Sequence, residues 1–390
     1  MAIREVKLGK VATVKGGKRL PKGINLITKP NPHPYIRVRD LNGKKTLELD
    51  GSFEFVDDET QKAISRYIVT GGDIVLSIVG TIGLVSVVGD SLNEANLTEN
   101  CVKLTSLSGI DRDYLYYYLK SSYGQQEIAR GTVGAVQAKL PIKNIQDISI
   151  PLPDEVTQRK IADILSSLDA KIEVNQRIND NLQQQAAALF SSLYDRSNTE
   201  VRFTDLIQIL GGGTPKTGEN TYWNGNIAFF TPKDVGIPYT LITEKTISKE
   251  GLSHCNSRLY PVNTVFVTAR GTVGKVGMSG VPMAMNQSCY ALVGKETHQL
   301  LVYFYTLKAV DRLKHKASGA VFDAITTRDF ESEQIMKLSD DDATAFLRVA
   351  EPMFQEVLNN NIENLRLSTL RDSLLPKLMS GEIDVSAVQL

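Results

Sequence analysis

Two kinds of hydrophobic pattern alternate along the chain, and their order repeats. Short runs of Val, Ile, Tyr and Phe, broken by Gly, Pro and Asn, fill residues 1–152 and again about 197–338. This is the pattern of short strands joined by turns. One helix is expected in the first stretch, around DYLYYYLKSSYGQQEIA at 113–129. From Asp154 to about Asp195 there is neither proline nor glycine, and apolar residues recur at heptad spacing: Ile161, Leu168, Leu182 and Leu189 in one register, Leu165, Ile172, Ala186 and Leu193 four residues on. Such spacing marks a coiled-coil seam. Asn175 and Asn179 fill its two central positions. Polar side chains there either fix register and orientation at some cost in stability, or sit in a locally splayed, solvated stretch.

A second helix is expected from roughly Asp340 to Met379, with Leu347, Phe354, Leu358, Ile362 and Leu365 on its apolar face and Leu370, Leu374 and Leu378 continuing it. Pro352 is expected to start or kink a helix and Pro376 to kink it near its end. A helix of about 40 residues spans roughly 60 Å and cannot bury its own seam, so the two helices should pack antiparallel. The arrangement predicted is two globular heads on one rod, with neighbouring chain ends and approximate internal twofold symmetry. The fold class is therefore α+β: residues 1–152 and 197–338 as mixed globular domains, followed by long helical segments at 153–196 and 339–390.

The halves also match residue by residue. VKLGKVATVKGG at 6–17 aligns with VRFTDLIQILGG at 201–212, and Arg39-Asp40-Leu41 with Lys233-Asp234-Val235. Asp73–Gly83 (DIVLSIVGTIG) aligns with Thr264–Gly274 (TVFVTARGTVG), Tyr118-Leu119-Lys120 with Thr306-Leu307-Lys308, and Gly134-Ala135-Val136 with Gly319-Ala320-Val321. The offset falls from 195 to 185 along the way, so the second copy has lost loop residues.

A chain of 390 residues, 42% hydrophobic, can bury sizeable cores in two or three domains. Cys101, Cys255 and Cys289 are an odd number without CxxC spacing, which fits small buried residues in a reducing compartment. The N-terminus lacks the apolar core of a signal peptide, and a cytoplasmic location is expected. Residues 74–89 carry no charge, but they are too short for a membrane helix, and their β-branched residues and glycines suit buried strands and a turn. Net charge is zero, yet residues 1–45 hold 12 Lys or Arg against 2 acids, and residues 46–100 hold 2 bases against 10 acids. One face can be strongly basic in a neutral chain, or the charges can be scattered over a solvated surface.

Catalytic constellations are missing. The four histidines show no HExxH and no metal-ligand spacing with the cysteines. Gly211–Gly218 is Gly-rich but does not match GxxxxGK[ST], and Pro215 stands where a phosphate loop would offer an N–H; a turn is the better reading. Asn31-Pro-His-Pro-Tyr35 faintly echoes the Asn-Pro-Pro-Tyr motif of amino-methyltransferases, but His33 interrupts it and no strand-GxG-helix precedes it. Pro153-Asp154, the only obvious start of a nuclease PD…(D/E)xK pattern, opens a helix instead.

Residue types that bridge base edges and phosphates are, by contrast, plentiful in the turn-rich parts. The first half offers Lys15, Lys18, Arg19, Lys22, Arg37, Arg39, Lys44 and Lys45; the second offers Thr214, Lys216, Tyr222, Trp223, Lys233, Arg270 and Lys275. For any one of them, plain surface solvation is an equal alternative. Arg270 stands out because it sits in the turn after Val265-Phe266-Val267, while its counterpart is Val79. The halves should therefore not read the same bases.

GGGTPKTGENTYWNGNIAFFTPKDV at 211–235, and in shorter form KGGKRLPKG at 15–23, resemble the opening of target-recognition domains in specificity subunits of type I restriction-modification systems. QRKIADILSSLDAKIEVNQRINDNL at 158–182 resembles that family's central conserved helix, and LRDSLLPKLMSGEI at 370–383 its C-terminal one. With the repeat, the resemblance covers nearly the whole chain. It implies two target-recognition domains, each reading half of a bipartite, asymmetric site on double-stranded DNA across a spacer set by the helices. It implies partners: two modification subunits that dock on the helices and methylate adenine N6 with S-adenosylmethionine, and restriction subunits, where present, that use ATP and Mg. This chain would hold no cofactor, no metal and no catalytic residue, and would meet no membrane. The rival readings are a stand-alone enzyme, which the missing motifs disfavour, and an adaptor whose coiled coil only joins other proteins.

Overall fold

A computed structural model describes residues 4–41, 43–134, 136–236, 238–316 and 324–385. The chain forms two compact units, residues 1–172 with 366–390, and residues 173–365. The first unit runs β1 (Arg4–Lys7), α1 (Leu8–Val11), β2 (Thr13–Gly16), β3 (Pro34–Ile36), β4 (Thr46–Leu47), β5 (Glu54–Phe55) and α2 (Asp58–Ile64). It continues with β6 (Ile74–Ser77), β7 (Val85–Val88), β8 (Asn96–Leu97), β9 (Cys101–Thr105), α3 (Arg112–Lys120), α4 (Ser122–Gly131), α5 (Ile142–Gln146) and β10 (Ser149–Leu152). Then comes the long helix α6 (Glu155–Asp195). Three sheets result, with strand orders β1-β10, β2-β9-β6-β7-β4 and β5-β3-β8.

The second unit repeats this plan. Its strands are β11 (Thr199–Arg202), β12 (Ile207–Gly211), β13 (Trp223–Phe230), β14 (Tyr239–Thr240), β15 (Lys245–Ile247), β16 (Val265–Thr268), β17 (Val276–Ser279), β18 (Met283–Met285), β19 (Cys289–Gly294) and β20 (Gln334–Lys337). The helices are α7 (Phe203–Leu206), α8 (Lys249–Ser253), α9 (Gln299–Lys316), α10 (Thr327–Ser332) and α11 (Asp340–Met379). The sheet orders are β11-β20, β12-β19-β16-β17-β14 and β15-β13-β18, each the first unit's order with every strand number raised by ten. The repeat read from sequence is thus a repeat of topology, and the α+β class holds. Of the aligned segments, Ala135 and residues 319–321 lie outside the described residues.

Residues 74–89 are β6, a turn and β7, buried along both strands, and no described helix is long and apolar enough to cross a membrane. The single helix expected at 113–129 is two. Ser121 ends α3 in extended conformation and caps α4, its hydroxyl accepting from Gly124 N at 3.1 Å. Gly124 packs so closely on the Tyr118 carbonyl that a Cβ would overlap it. The counterpart α9, with Ala309 where α3–α4 has Ser121, runs unbroken for 18 residues. A hydroxyl that satisfies a local N–H offers the backbone an alternative to continuing the helix.

Helix α6 starts where Asp154 accepts from Thr157 N at 3.0 Å, and α11 where Ser339 accepts from Asp342 N at 3.1 Å. α11 passes through Pro352 rather than starting there, and through Pro376 as well. Within each unit the two helices pair antiparallel. In the first, Arg371 Nη1 donates to Asp169 at 2.6 Å; in the second, Asn175 reaches Asn364 at 2.9 Å and Asn179 reaches Asn361 at 2.9 Å.

Ile161 and Leu165 are buried in the first unit's core beside Leu375, Leu378 and Met379 from the C-terminal helix and Leu8 and Val11 from the N-terminal one. Leu182 and Leu189 lean on the second core, with Leu358 buried and Ile362 half-buried against it. Leu168, Ile172 and Leu365 are half-buried, and Leu370 is exposed, so the apolar face continues through Leu374, Leu375 and Leu378 instead. Phe190, absent from the heptad pattern, is fully buried and stacks on Phe304 at 4.9 Å.

Candidate nucleic-acid interface

In each unit three chain segments converge where β2 and β9, or β12 and β19, begin and end. Gly17 and Gly212 follow the first strand, and a Cβ on either would overlap the carbonyl oxygens of Leu97 and Thr98 or of Met285 and Asn286. Only glycine permits that approach. Lys18 N then donates to Leu97 O at 2.8 Å, and Gly213 N to Met285 O at 3.0 Å. The third segment is the hairpin turn after β6 or β16, tied in by Ile78 N to Asn100 O at 2.8 Å and Ala269 N to Ser288 O at 2.8 Å.

That turn is built the same way twice. Ser77 Oγ donates to Thr81 O at 2.6 Å and accepts from Leu84 N at 2.9 Å; Thr268 Oγ1 donates to Thr272 O and accepts from Lys275 N at 2.9 Å. Gly80, Gly83, Gly271 and Gly274 hold positive φ of 79°, 92°, 83° and 74°, values that suit glycine alone. The tip differs: Val79 is half-buried in one, and Arg270 is exposed in the other.

Some of the sequence-picked side chains lie at these convergences. Lys15 is exposed on β2, Lys18 is exposed with its ammonium 5.6 Å from the Tyr67 ring centre, and Lys22 is exposed in the loop that follows. Arg19 is also exposed but bonded to Glu99 at 2.6 Å. Thr214 donates to Gln287, Lys216 O accepts from the Trp223 indole at 3.1 Å, and Arg270 and Lys275 flank the second hairpin turn.

Others are paired with neighbouring side chains, Arg37 and Lys45 largely buried and Arg39 and Lys233 still exposed. Arg37, 14% exposed, grips Asp40 at 3.0 Å and Glu54, while Arg39 bonds Glu54 at 2.9 Å. Lys45 is bonded to Asp113 at 2.9 Å and Ser166 at 2.7 Å, whereas neighbouring Lys44 is exposed. Tyr222 stacks on His254 at 4.9 Å; Trp223 sits edge-on to Phe229 at 5.5 Å with the Lys245 ammonium 5.7 Å from its ring; Lys233 faces Glu244 at 3.8 Å. Glu99, Glu54 and Asp40 together therefore offset Arg19, Arg37 and Arg39, leaving a smaller basic surface than the sequence run suggests.

Sequence reasoning missed Glu99 and Gln287. They align because Thr98-Glu99-Asn100-Cys101 and Asn286-Gln287-Ser288-Cys289 precede equivalent strands, a signal visible only once Cys101 is paired with Cys289. Both thiols are buried, which pushes each up to about 12, far from thiolate reactivity. No group of three His, Cys, Asp or Glu among the described residues could hold a metal ion. Asn31 and His33 form a turn, His33 N donating to Asn31 Oδ1 at 2.8 Å and Asn31 Nδ2 to Val56 O at 2.9 Å.

A family model, the type I restriction modification DNA specificity domain, matches residues 3–184 and again 196–337. The chain belongs to this family. The double match follows the topological repeat, and it bears out the resemblance read from the segments at 15–23, 158–182 and 211–235. Among specificity-subunit relatives, that of the type I restriction enzyme HindI of Haemophilus influenzae is 25% identical over 63% of this chain and 71% of its own. The specificity subunit of the MjaIX enzyme of Methanocaldococcus jannaschii is 21% identical over 90% of this chain and 87% of its own. The crystal structure of a type I restriction-modification S subunit from M. genitalium, 17% identical, superposes with a TM-score of 0.60 over 97% of this chain and 96% of that one. At that identity it speaks for the fold.

Proposed function

We propose that this chain is the DNA-recognition subunit of a type I restriction-modification complex and catalyses nothing itself. Each unit reads one half of a bipartite, asymmetric site on double-stranded DNA. The paired helices α6 and α11 set the spacer and dock two modification subunits, which methylate adenine N6 with S-adenosylmethionine; restriction subunits, where present, add ATP- and Mg-dependent cleavage. The target adenine leaves the base stack in the modification subunits. This chain supplies address and geometry.

One observation carries the reading: two units share a strand order and a glycine-built loop framework but carry different exposed side chains on it. A shared scaffold with unlike side chains suits reading two unlike half-sites, since phosphate contacts position a protein and base-edge contacts specify sequence. Family membership supports it independently.

The test is long-read sequencing of adenine methylation in cells carrying the modification subunit, with and without this chain. A split, asymmetric methylated motif that appears only with the chain is expected. Its absence, with the modification subunit shown to be active alongside another specificity subunit, overturns the proposal. Purified chain alone is expected neither to methylate nor to cut DNA, and the logarithm of its DNA-binding constant should fall linearly with log salt as counterions are released.

A further inference from the structure

Resting on that reading, we propose that Glu99 and Gln287 are the equivalent base-reading residues of the two units, and that their difference in hydrogen-bonding character makes the half-sites unlike.

Equivalence is set by the backbone. Lys18 N to Leu97 O and Gly213 N to Met285 O are the same bond, as are Ile78 N to Asn100 O and Ala269 N to Ser288 O. Thr98 N donates to Ile36 O at 3.1 Å, as Asn286 N does to Phe230 O at 2.9 Å. Between these ties Glu99 matches Gln287, and two residues past the pressed glycine Arg19 matches Thr214. Each pair is joined: Arg19 Nε donates to Glu99 Oε1 at 2.6 Å, and Thr214 Oγ1 to Gln287 Oε1. An interaction position is thus kept between the two copies while its chemistry changes from an ion pair to a hydroxyl–amide bond.

Both readers are accessible and held. Glu99 is 31% exposed and also accepts from Thr98 Oγ1 at 3.2 Å. Burial pushes its carboxyl up, but the Arg19 bond and charge, with Thr98, hold it below the usual carboxylate range. It is ionised at neutral pH and can only accept. Gln287 is exposed, and with its oxygen bound to Thr214 it presents two amide N–H donors. An acceptor-only reader selects the exocyclic amino group of cytosine or adenine; a reader with free N–H groups can engage N7, O6 or O4 acceptors. Exposed Lys18, next in sequence to Arg19, stands beside the first position, and exposed Arg270, whose N–H donates to Ser288 O at 3.3 Å, beside the second, where they can meet phosphates.

The test uses the near-isosteric variants E99Q and Q287E in the full chain with its modification subunit, read by genome-wide methylation sequencing. Each is expected to change the accepted base at one position of one half-site, in opposite halves, with modification of the original motif reduced roughly 10-fold or more. Variants that keep the wild-type motif, or that alter the same half, overturn the inference; no split motif with the wild-type chain would instead sink the specificity reading. Should a variant methylate nothing, the purified complex is offered duplexes bearing the wild-type motif with each half-site base replaced in turn. Recovered binding to one replacement supports the inference, and uniformly weak binding to all of them overturns it.

Discussion

Asn179 donates to Asn361 across the paired helices of the second unit at 2.9 Å. Its own carbonyl accepts from Asn360 Nδ2 at 2.9 Å, and it is 4% exposed. The seam asparagines are therefore buried and bonded, not splayed into solvent, which favours the register-fixing reading. Asn179→Ala leaves Asn360 and Asn361 without those partners, and a buried polar group stripped of its partner costs about 1–3 kcal/mol. Chemical denaturation should register a loss of that size.

In the first unit Asp169 plays a comparable part. It accepts from Tyr117 Oη at 2.6 Å and from Arg371 Nη1 at 2.6 Å, so it joins α3, α6 and α11. Arg371→Met keeps the aliphatic stem but leaves the carboxylate one partner short. A stability loss of about 2 kcal/mol is expected, since hydrogen bonds to charged groups are worth more than neutral ones. Asp169→Asn in the same background should recover part of it, because the unpaired charge is gone; failure to recover would count against the pair.

The heptads were legible because burial imposes a period: Ile161, Leu165, Asn175 and Asn179 all sit where a 3-4 spacing puts them. The repeat was legible because Gly17 and Gly212 are backbone necessities and survive divergence of everything around them. What could not be read were long-range pairings. That Arg19 is met by Glu99, and Arg37 by Glu54, depends on strands brought together by the fold, and no local spacing encodes it. The break at Ser121 was hidden for a different reason: a capping hydroxyl inside an apolar helical run is indistinguishable by periodicity from a surface serine.

Gly17→Ala should be among the most damaging single substitutions in the first unit. The new methyl would overlap two backbone oxygens that are themselves fixed by neighbouring hydrogen bonds, so neither can retreat cheaply. Overpacking of this kind costs about 3 kcal/mol. Hydrogen exchange should show faster amides across residues 96–101, with residues 283–289 unchanged; the mirror result is expected for Gly212→Ala.

Asp113 predicts a pH dependence. Burial raises its carboxyl, but hydrogen bonds from Arg112 and Lys45 and their charges bring it below the usual range. A depressed carboxylate binds fewer protons folded than unfolded, so its contribution is fully present above the unfolded value near 4 and is lost as pH falls through the folded value. The melting-temperature difference between wild type and Asp113→Asn should be constant from pH 8 down to about 5 and shrink below about 4. A difference that grew with acidity would contradict the assignment.

The spacer prediction follows from connectivity. α6 and α11 each supply residues to both units. Removing seven residues from each helix at facing seam positions keeps the heptad phase, so every remaining knob meets its former neighbour. The helices shorten by about 10 Å, close to three base pairs of duplex. Under the proposed function the half-sites keep their sequences and the spacer shrinks, because the loops at Glu99 and Gln287 are untouched. Methylation sequencing reads both quantities at once. An unchanged spacer would mean that the helices are not the ruler, and altered half-sites would mean that the deletion reached the recognition loops through the cores that Leu165 and Phe190 enter.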